Sequence, residues 1–216
     1  MEEKTLTGYP SIDKPWLKYY SDEAIHAPLP KCTAYELIRR GNAGHPDDIA
    51  LIYFDRKITY GQMFDGIERT AKAFAAFGVT QGDIVILCVV NMPETVYALY
   101  ALDRLGAVAN LIDPRTNAEQ LHNYITECDA KMVVTVDLAY SIIQQASSET
   151  TVERIITISP VDSLPPVKRI AYRLKNKAPA LASGDMCWAD FIAHGVNTVP
   201  EYAPYEKERC FVIAHT

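Results

Sequence analysis

The stretch TYGQMFDGIERTAKAFAAFGVTQGDIVILCVVNMPETVYALYALDRLGAVANLIDPR, residues 59–115, decides the fold. Thr59 and Gln62 stand three apart as a capping box, in which each side chain meets the other residue's backbone N–H. Met63, Phe64, Ile67, Ala71, Phe74 and Ala75 then recur at helical spacing until Gly78 stops the run. After the turn at residues 80–83, every position from Ile84 to Val90 is apolar. A strand apolar on both faces needs cover on both faces, which predicts a central strand of a parallel sheet. Pro93 in a first helical turn and Gly106 just past the last bracket a second helix containing Val96, Leu99, Tyr100, Leu102 and Asp103. Ala107 to Ile112 returns as the next strand.

The same unit repeats downstream. Asn117 and Gln120 open a helix through Leu121, Tyr124 and Ile125, followed by a strand at Met132 to Val136, a helix at Leu138 to Ala146 and a strand at Arg154 to Ile158. Alternating strands and helices predict an α/β fold with a mostly parallel sheet and flanking helices. The rhythm lapses between Pro160 and Lys207. That stretch holds Pro165-Pro166, a basic helix at Val167 to Lys177 and a further helix at Met186 to His194. Cys210 to Ala214 resumes as a strand.

Upstream, two apolar runs between Ile49 and Tyr60 flank Asp55-Arg56-Lys57 and predict a hairpin. Thr33 to Arg40 reads as a helix opened by a Thr33–Glu36 capping box and closed by Gly41. Pro10, Pro15, Pro28 and Pro30 forbid a long helix before it. The predicted organisation is an irregular wrapping segment at 1–32, an α/β core at 33–158, an irregular segment with two short helices at 159–209, and a strand at 210–216.

Composition narrows the function. The 216 residues are 49% hydrophobic and 22% charged, enough to bury a substantial core. A formal net charge of -6 gives no electrostatic reason to bind nucleic acid, whose phosphates demand clustered Lys and Arg. No apolar run nears the roughly 20 residues needed to cross a bilayer. The start Met1-Glu2-Glu3-Lys4 lacks the flank and core of a secretory signal, so a cytoplasmic location is expected. The five cysteines are widely spaced with no Cys-x-x-Cys pair, which supports neither a zinc site nor a disulfide framework. Cys88 and Cys210 sit in apolar runs and are expected to pack as small hydrophobes.

Several segments together resemble a known family. Ile58-Thr59-Tyr60-Gly61-Gln62-Met63 is similar to an early Thr-Tyr-x-x-Leu helix start, and Gly78-Val79-x-x-Gly82-Asp83-x-Val85 to a Gly-Val-x-x-Gly-Asp-x-Val lead into a buried strand. Asn91-Met92-Pro93-Glu94, Leu105-Gly106-Ala107-Val108 continuing to Asp113-Pro114, and Trp188-x-x-Phe191 follow in the order and spacing seen there. The family is that of the adenylate-forming ligases, which includes acyl-CoA synthetases, luciferases and the adenylation domains of peptide synthetases. Phe211-Val212-Ile213-Ala214-His215-Thr216 resembles the strand and first threonine of that family's Thr-Ser/Gly-Gly-Thr-Thr-Gly-x-Pro-Lys phosphate loop.

The resemblance implies the N-terminal part of the large domain of such a ligase. By that resemblance, in the complete enzyme a carboxylate would attack the α-phosphorus of ATP, with Mg2+, to give acyl-AMP and release pyrophosphate, and the acyl group would then pass to a thiol, CoA or that of a carrier protein, releasing AMP. It implies Thr216 as a phosphate contact; His215 beside it, from its strand-end location, is read as lining the acyl or nucleotide pocket, weighed against a structural histidine. No catalytic and no metal-binding residue is assigned in these 216 residues. The loop glycines and lysine do not occur here, so the expectation is a fragment that is inactive alone, exposes an apolar face and self-associates. An amino-acid-activating adenylation domain and a non-catalytic α/β binding module are the alternatives.

Other residues have plainer readings. Asp113 before Pro114 is ordinary turn chemistry, and Asn91 is a helix cap. Gly78, Gly82 and Gly106 do not form the Gly-x-Gly-x-x-Gly of a dinucleotide site. Lys168, Arg169, Arg173, Lys175 and Lys177 offer a surface for an anionic membrane or for CoA phosphates, weighed against a simple solvated helix face.

Overall fold

The structure, a computed structural model, describes residues 6–164, 169–170 and 178–215. The chain divides into two compact units, Met1–Lys31 and Cys32–Thr216. In the first, α1 (Pro10–Asp13) and α2 (Asp22–His26) flank a 3-10 turn at Pro15–Tyr19. Ser21 caps α2 by accepting the Ala24 N–H at 3.2 Å. No described residue of this unit is buried.

The second unit begins with α3 (Ala34–Gly41) and a two-stranded antiparallel hairpin of β1 (Ile49–Tyr53) and β2 (Arg56–Thr59). There follow α4 (Tyr60–Ala76), β3 (Ile84–Cys88), α5 (Pro93–Leu105), β4 (Val108–Ile112) and α6 (Ala118–Glu127). The chain continues through β5 (Met132–Val136), α7 (Tyr140–Ala146), β6 (Arg154–Ile158), β7 (Met186–Cys187), α8 (Trp188–His194) and β8 (Val212–Ala214). Six strands form one sheet in the order β7-β6-β5-β3-β4-β8, every pairing parallel. β3 is central, as its unbroken apolar run predicts. Capping boxes at Thr33 and Thr59 are both formed, and Gly106 caps α5 in the left-handed region.

Alternation along the strands sorts the core into two layers. Val85, Leu87, Ala109, Val134, Ile156 and Ile158 meet α4, α5 and α8 on one face. Ile86, Cys88, Ile112, Val133 and Ile155 meet α6 and α7 on the other. Phe191 of α8 is fully buried against Phe74, with ring centroids 5.0 Å apart.

The structure corrects several local expectations. The hairpin turns at Phe54 and Asp55, both with positive φ (45° and 69°), one residue earlier than the expected Asp55-Arg56-Lys57. That left-handed pair matches the twist of the flanking strands without a glycine. Met186 and Cys187 pair with β6 as a strand, so α8 starts at Trp188. Cys210 is exposed, because it precedes β8 at the sheet edge; Cys88 is buried and its thiol is pushed up to about 12, first by burial. Met92, not Asn91, is the N-cap of α5 and makes no side-chain cap bond; Thr95 instead donates to the Val90 carbonyl at 2.7 Å. The basic helix expected at Val167 to Lys177 lies outside the described residues except for Arg169 and Ile170.

Candidate functional site

In open parallel sheets ligands bind beyond the carboxyl ends of the strands. Here β8 delivers His215 to that edge. The His215 Nε2 lies 2.7 Å from Asn110 Oδ1, and its ring packs on Tyr124 of α6 at a centroid distance of 4.0 Å. Asn110 is fully buried in β4, opposite Ile213 in the ladder, and its amide donates to Cys128 Sγ at 3.1 Å. The amide oxygen can only accept, so His215 meets it with an Nε2–H. Asn110 is a residue that sequence reasoning passed over. Its signal was an amide inside the otherwise apolar β4, where a buried polar side chain needs a partner. Thr216, the expected phosphate contact, lies outside the described residues.

The segment leading into β8 is clamped. Arg104 pairs with Glu68 and lies over the rings of Tyr202 (3.6 Å) and Tyr35 (4.5 Å). Tyr202 donates to Glu68 at 2.8 Å, and the Ala203 N–H to the Arg104 carbonyl at 2.9 Å. Partial burial pushes the Glu68 carboxyl up, but the bonds from Arg104 and Tyr202 outweigh it and hold the group below its ordinary value. Asp103, 4% exposed, accepts the Tyr35 N–H at 2.7 Å and faces Arg209 at 4.0 Å. These contacts fix where β8 begins.

Asp113 behaves as a turn residue: its carboxylate accepts the Arg115 N–H at 2.8 Å and the Arg115 Nε at 3.0 Å. That guanidinium holds the exposed carboxyl down at about 2. Among the described residues no cluster of His, Cys, Asp and Glu is arranged to hold a metal ion, and no helix is long and apolar enough to cross a membrane.

A second polar site lies on the other helical layer. Glu94, the second residue of α5, is 5% exposed; its Oε1 accepts from Ser163, while its Oε2 has no hydrogen-bond partner among the described residues. Burial raises the Glu94 carboxyl above its ordinary value, more than the Ser163 bond lowers it. A raised folded value means that the group stabilises the fold below the unfolded value and loses that contribution as pH rises through the folded one. Glu94→Gln is therefore expected to raise stability by about 1 kcal/mol at mildly alkaline pH. The gain should vanish below the ordinary carboxyl value of 4.5. Thermal melts of both proteins across pH check this, and a gain that persists in acid would show that charge is not its cause.

A six-stranded, wholly parallel sheet covered by helices on both faces, with His215 following its edge strand β8, defines an α/β domain. The chain belongs to the AMP-binding enzyme family, whose model matches residues 38–208. It is 26% identical over 165 residues to a long-chain-fatty-acid–CoA ligase of Bacillus subtilis (strain 168), covering 76% of this chain and 30% of that protein. It is 34% identical over 110 residues to an acetyl-coenzyme A synthetase of Allorhizobium ampelinum, covering 48% of this chain and 17% of that protein. The chain thus matches less than a third of the length of these relatives. Among solved structures, the anthranilate CoA ligase AuaEII in complex with anthranoyl-AMP shares the fold with a TM-score of 0.68 at 19% identity, over 84% of this chain and 32% of that one. A benzoate CoA ligase from Burkholderia xenovorans LB400 gives 0.62 at 16% identity, over 83% and 32%.

Proposed function

We propose that these residues are the N-terminal scaffold of an AMP-forming carboxylate ligase, which activates an acid with ATP and Mg2+ and passes the acyl group to a thiol, that of CoA. The observation that carries the reading is the family match over residues 38–208, joined to an edge strand, β8, that His215 and Thr216 follow in the sequence. The CoA ligases and synthetases among the relatives favour CoA over a carrier-protein thiol as acceptor. In this proposal Thr216 contacts phosphate. His215, held by Asn110 and Tyr124, sets the corner at which strand becomes loop. The proposed location is cytoplasmic.

The described residues do not fit a nucleotide by themselves. Triphosphate sites use a cradle of glycine N–H groups and a lysine, whereas Arg115 at this edge is tied to Asp113. Residues 1–216 alone are therefore proposed to be inactive and to bind ATP weakly. Exposed Ile52, Phe54 and Val90 support their self-association as an isolated piece. The basic stretch at 168–177 is proposed as a peripheral contact for anionic membranes, tested by salt-sensitive binding to anionic vesicles.

The central test is carboxylate-dependent exchange of pyrophosphate into ATP by a longer protein that includes a downstream glycine-rich loop and lysine. Exchange with at least one acid of a broad panel is expected. No exchange with any would remove the ligase reading, and tight Mg2+-dependent ATP binding by residues 1–216 would show the nucleotide site to be misplaced.

A further inference from the structure

Asn110 stands where an apolar residue would serve the sheet better. It is the polar residue of β4, whose other members are Val108, Ala109, Leu111 and Ile112, and it is fully buried. Asparagine disfavours strands, and burying an amide costs free energy unless its groups are bonded. Its two side-chain partners are unequal. Cys128 Sγ is a weak acceptor for the amide N–H at 3.1 Å, whereas the His215 Nε2–H reaches the amide oxygen at 2.7 Å. A leucine in this place would need neither. A residue that breaks a local rule in this way points to the site it touches.

The register shows how it reaches that site. Asn110 pairs with Ile213 in the β4–β8 ladder, and residues two apart on a strand share a face, so His215 projects from the same side as Asn110. β8 ends at Ala214, so His215 lies past the strand and its exposed side chain reaches back diagonally to β4. The ring also rests on Tyr124 at 4.0 Å. Tyr124 and Cys128 stand four apart at the end of α6, on one face of the helix. The hydrogen bond fixes the direction of the ring and the stacking fixes its plane, at the point where the chain leaves the sheet.

We propose that Asn110 is a positioning residue for the phosphate edge: it touches no nucleotide itself, and acts through His215 to hold the backbone after β8 in the conformation that receives phosphate. This rests on the ligase reading above. A loop held in advance populates its binding form before ATP arrives, and loss of the tie weakens the apparent affinity by the fraction no longer populated. A single hydrogen bond corresponds to about three- to tenfold. Saturating ATP orders the loop by itself, so the maximal rate is little affected.

The test is pyrophosphate exchange by the longer protein that carries the downstream loop, comparing Asn110→Leu, His215→Leu and His215→Gln. Asn110→Leu is expected to raise KM for ATP about three- to tenfold and to leave kcat within about twofold. It should not lower the melting temperature, because the exposed His215 N–H finds water instead. His215→Leu should raise KM by the same factor, while His215→Gln, which keeps a donor at similar reach, should stay near the original KM. The double variant Asn110→Leu/His215→Leu should be no worse than either single one. If Asn110→Leu fails to fold, the two variants at the exposed position 215 carry the same comparison. An unchanged KM in Asn110→Leu or His215→Leu, additive effects in the double variant, or equal losses in His215→Leu and His215→Gln would each overturn the proposal. In residues 1–216 the His215 Nε2 proton is expected to be visible by NMR and to vanish in Asn110→Leu; its absence from the unmodified chain would overturn the proposal even if the ligase reading holds. No exchange by the unmodified longer protein would remove the ligase reading, and this proposal with it, even if that proton is seen.

Discussion

Phe191→Ala is expected to lower the unfolding free energy by about 3–5 kcal/mol, the usual cost of removing a fully buried phenyl ring from a core that cannot close over the void. Phe191 is 0% exposed and stands at the centre of an aromatic cluster. Its ring centroid is 5.0 Å from Phe74, 5.7 Å from Phe77 and 5.3 Å from Trp188. Three edge or offset ring contacts are lost together with the buried area. Trp188 and the His194 ring, 5.3 Å from Phe77, also pack α8 onto the core, but Phe191 is the fully buried centre of that contact. Urea denaturation followed by tryptophan fluorescence, with Trp16 replaced by Phe so that Trp188 alone reports, reads the loss. A cost below about 1 kcal/mol would mean that α8 unfolds separately from the sheet.

The second large effect concerns Gly106, where two penalties coincide. Its φ of 73° lies in the left-handed region, which costs a residue with a Cβ about 1–2 kcal/mol. An added Cβ would also sit 2.6 Å from the Ala203 Cβ and 3.0 Å from the Gln81 Cγ. Neither the Ala203 methyl nor the clamped backbone that carries it can swing aside, so overpacking adds about 1–3 kcal/mol. Gly106→Ala is thus expected to cost about 2–5 kcal/mol in all. Gly78→Ala isolates the first penalty: φ there is 81° and nothing lies within 4 Å of the added Cβ. It should cost about 1–2 kcal/mol. Since Ala203 belongs to the segment leading to β8, Gly106→Ala should also speed hydrogen exchange at the β4–β8 pairing, which Gly78→Ala should leave unchanged. Equal costs for the two variants would refute the close approach of residue 203 to α5.

The outline of the core was legible in the chain because its signals are local. The apolar run of β3, the capping boxes at Thr33 and Thr59, and the Pro93–Gly106 bracket each act within a few residues. The lapses fell where local rules compete. Phe54 and Asp55 adopt the left-handed region that turn statistics reserve for Asn and Gly, since strand pairing on both sides imposes the twist. Asn91 looked like a cap, yet Met92 holds the extended backbone of the N-cap, with φ -148°.

The candidate sites were less legible. Glu94 reads in sequence as a routine acid in a first helical turn, a favourable place for negative charge. Only the packing of Ser163, from a loop 69 residues away, reveals that one oxygen is satisfied and the other is not. His215 stood out by its place at a strand end, but its partner Asn110 is 105 residues distant, and an amide in an apolar strand shows the need for a partner without naming it.

By itself, then, the sequence determined the main helices and strands of the core, that the sheet is parallel and buried on both faces, and which family the chain resembles. These follow from periodicity, capping and composition, whose forces act along the chain. The tertiary structure alone decided that β8 lies beside β4, that Arg104, Glu68 and Tyr202 clamp its approach, that His215 rests on Asn110, and that Glu94 keeps a buried oxygen with no hydrogen-bond partner among the described residues. Such pairings between distant residues are selected by the joint burial of many groups, and burial is a property of the packed chain that no short stretch encodes.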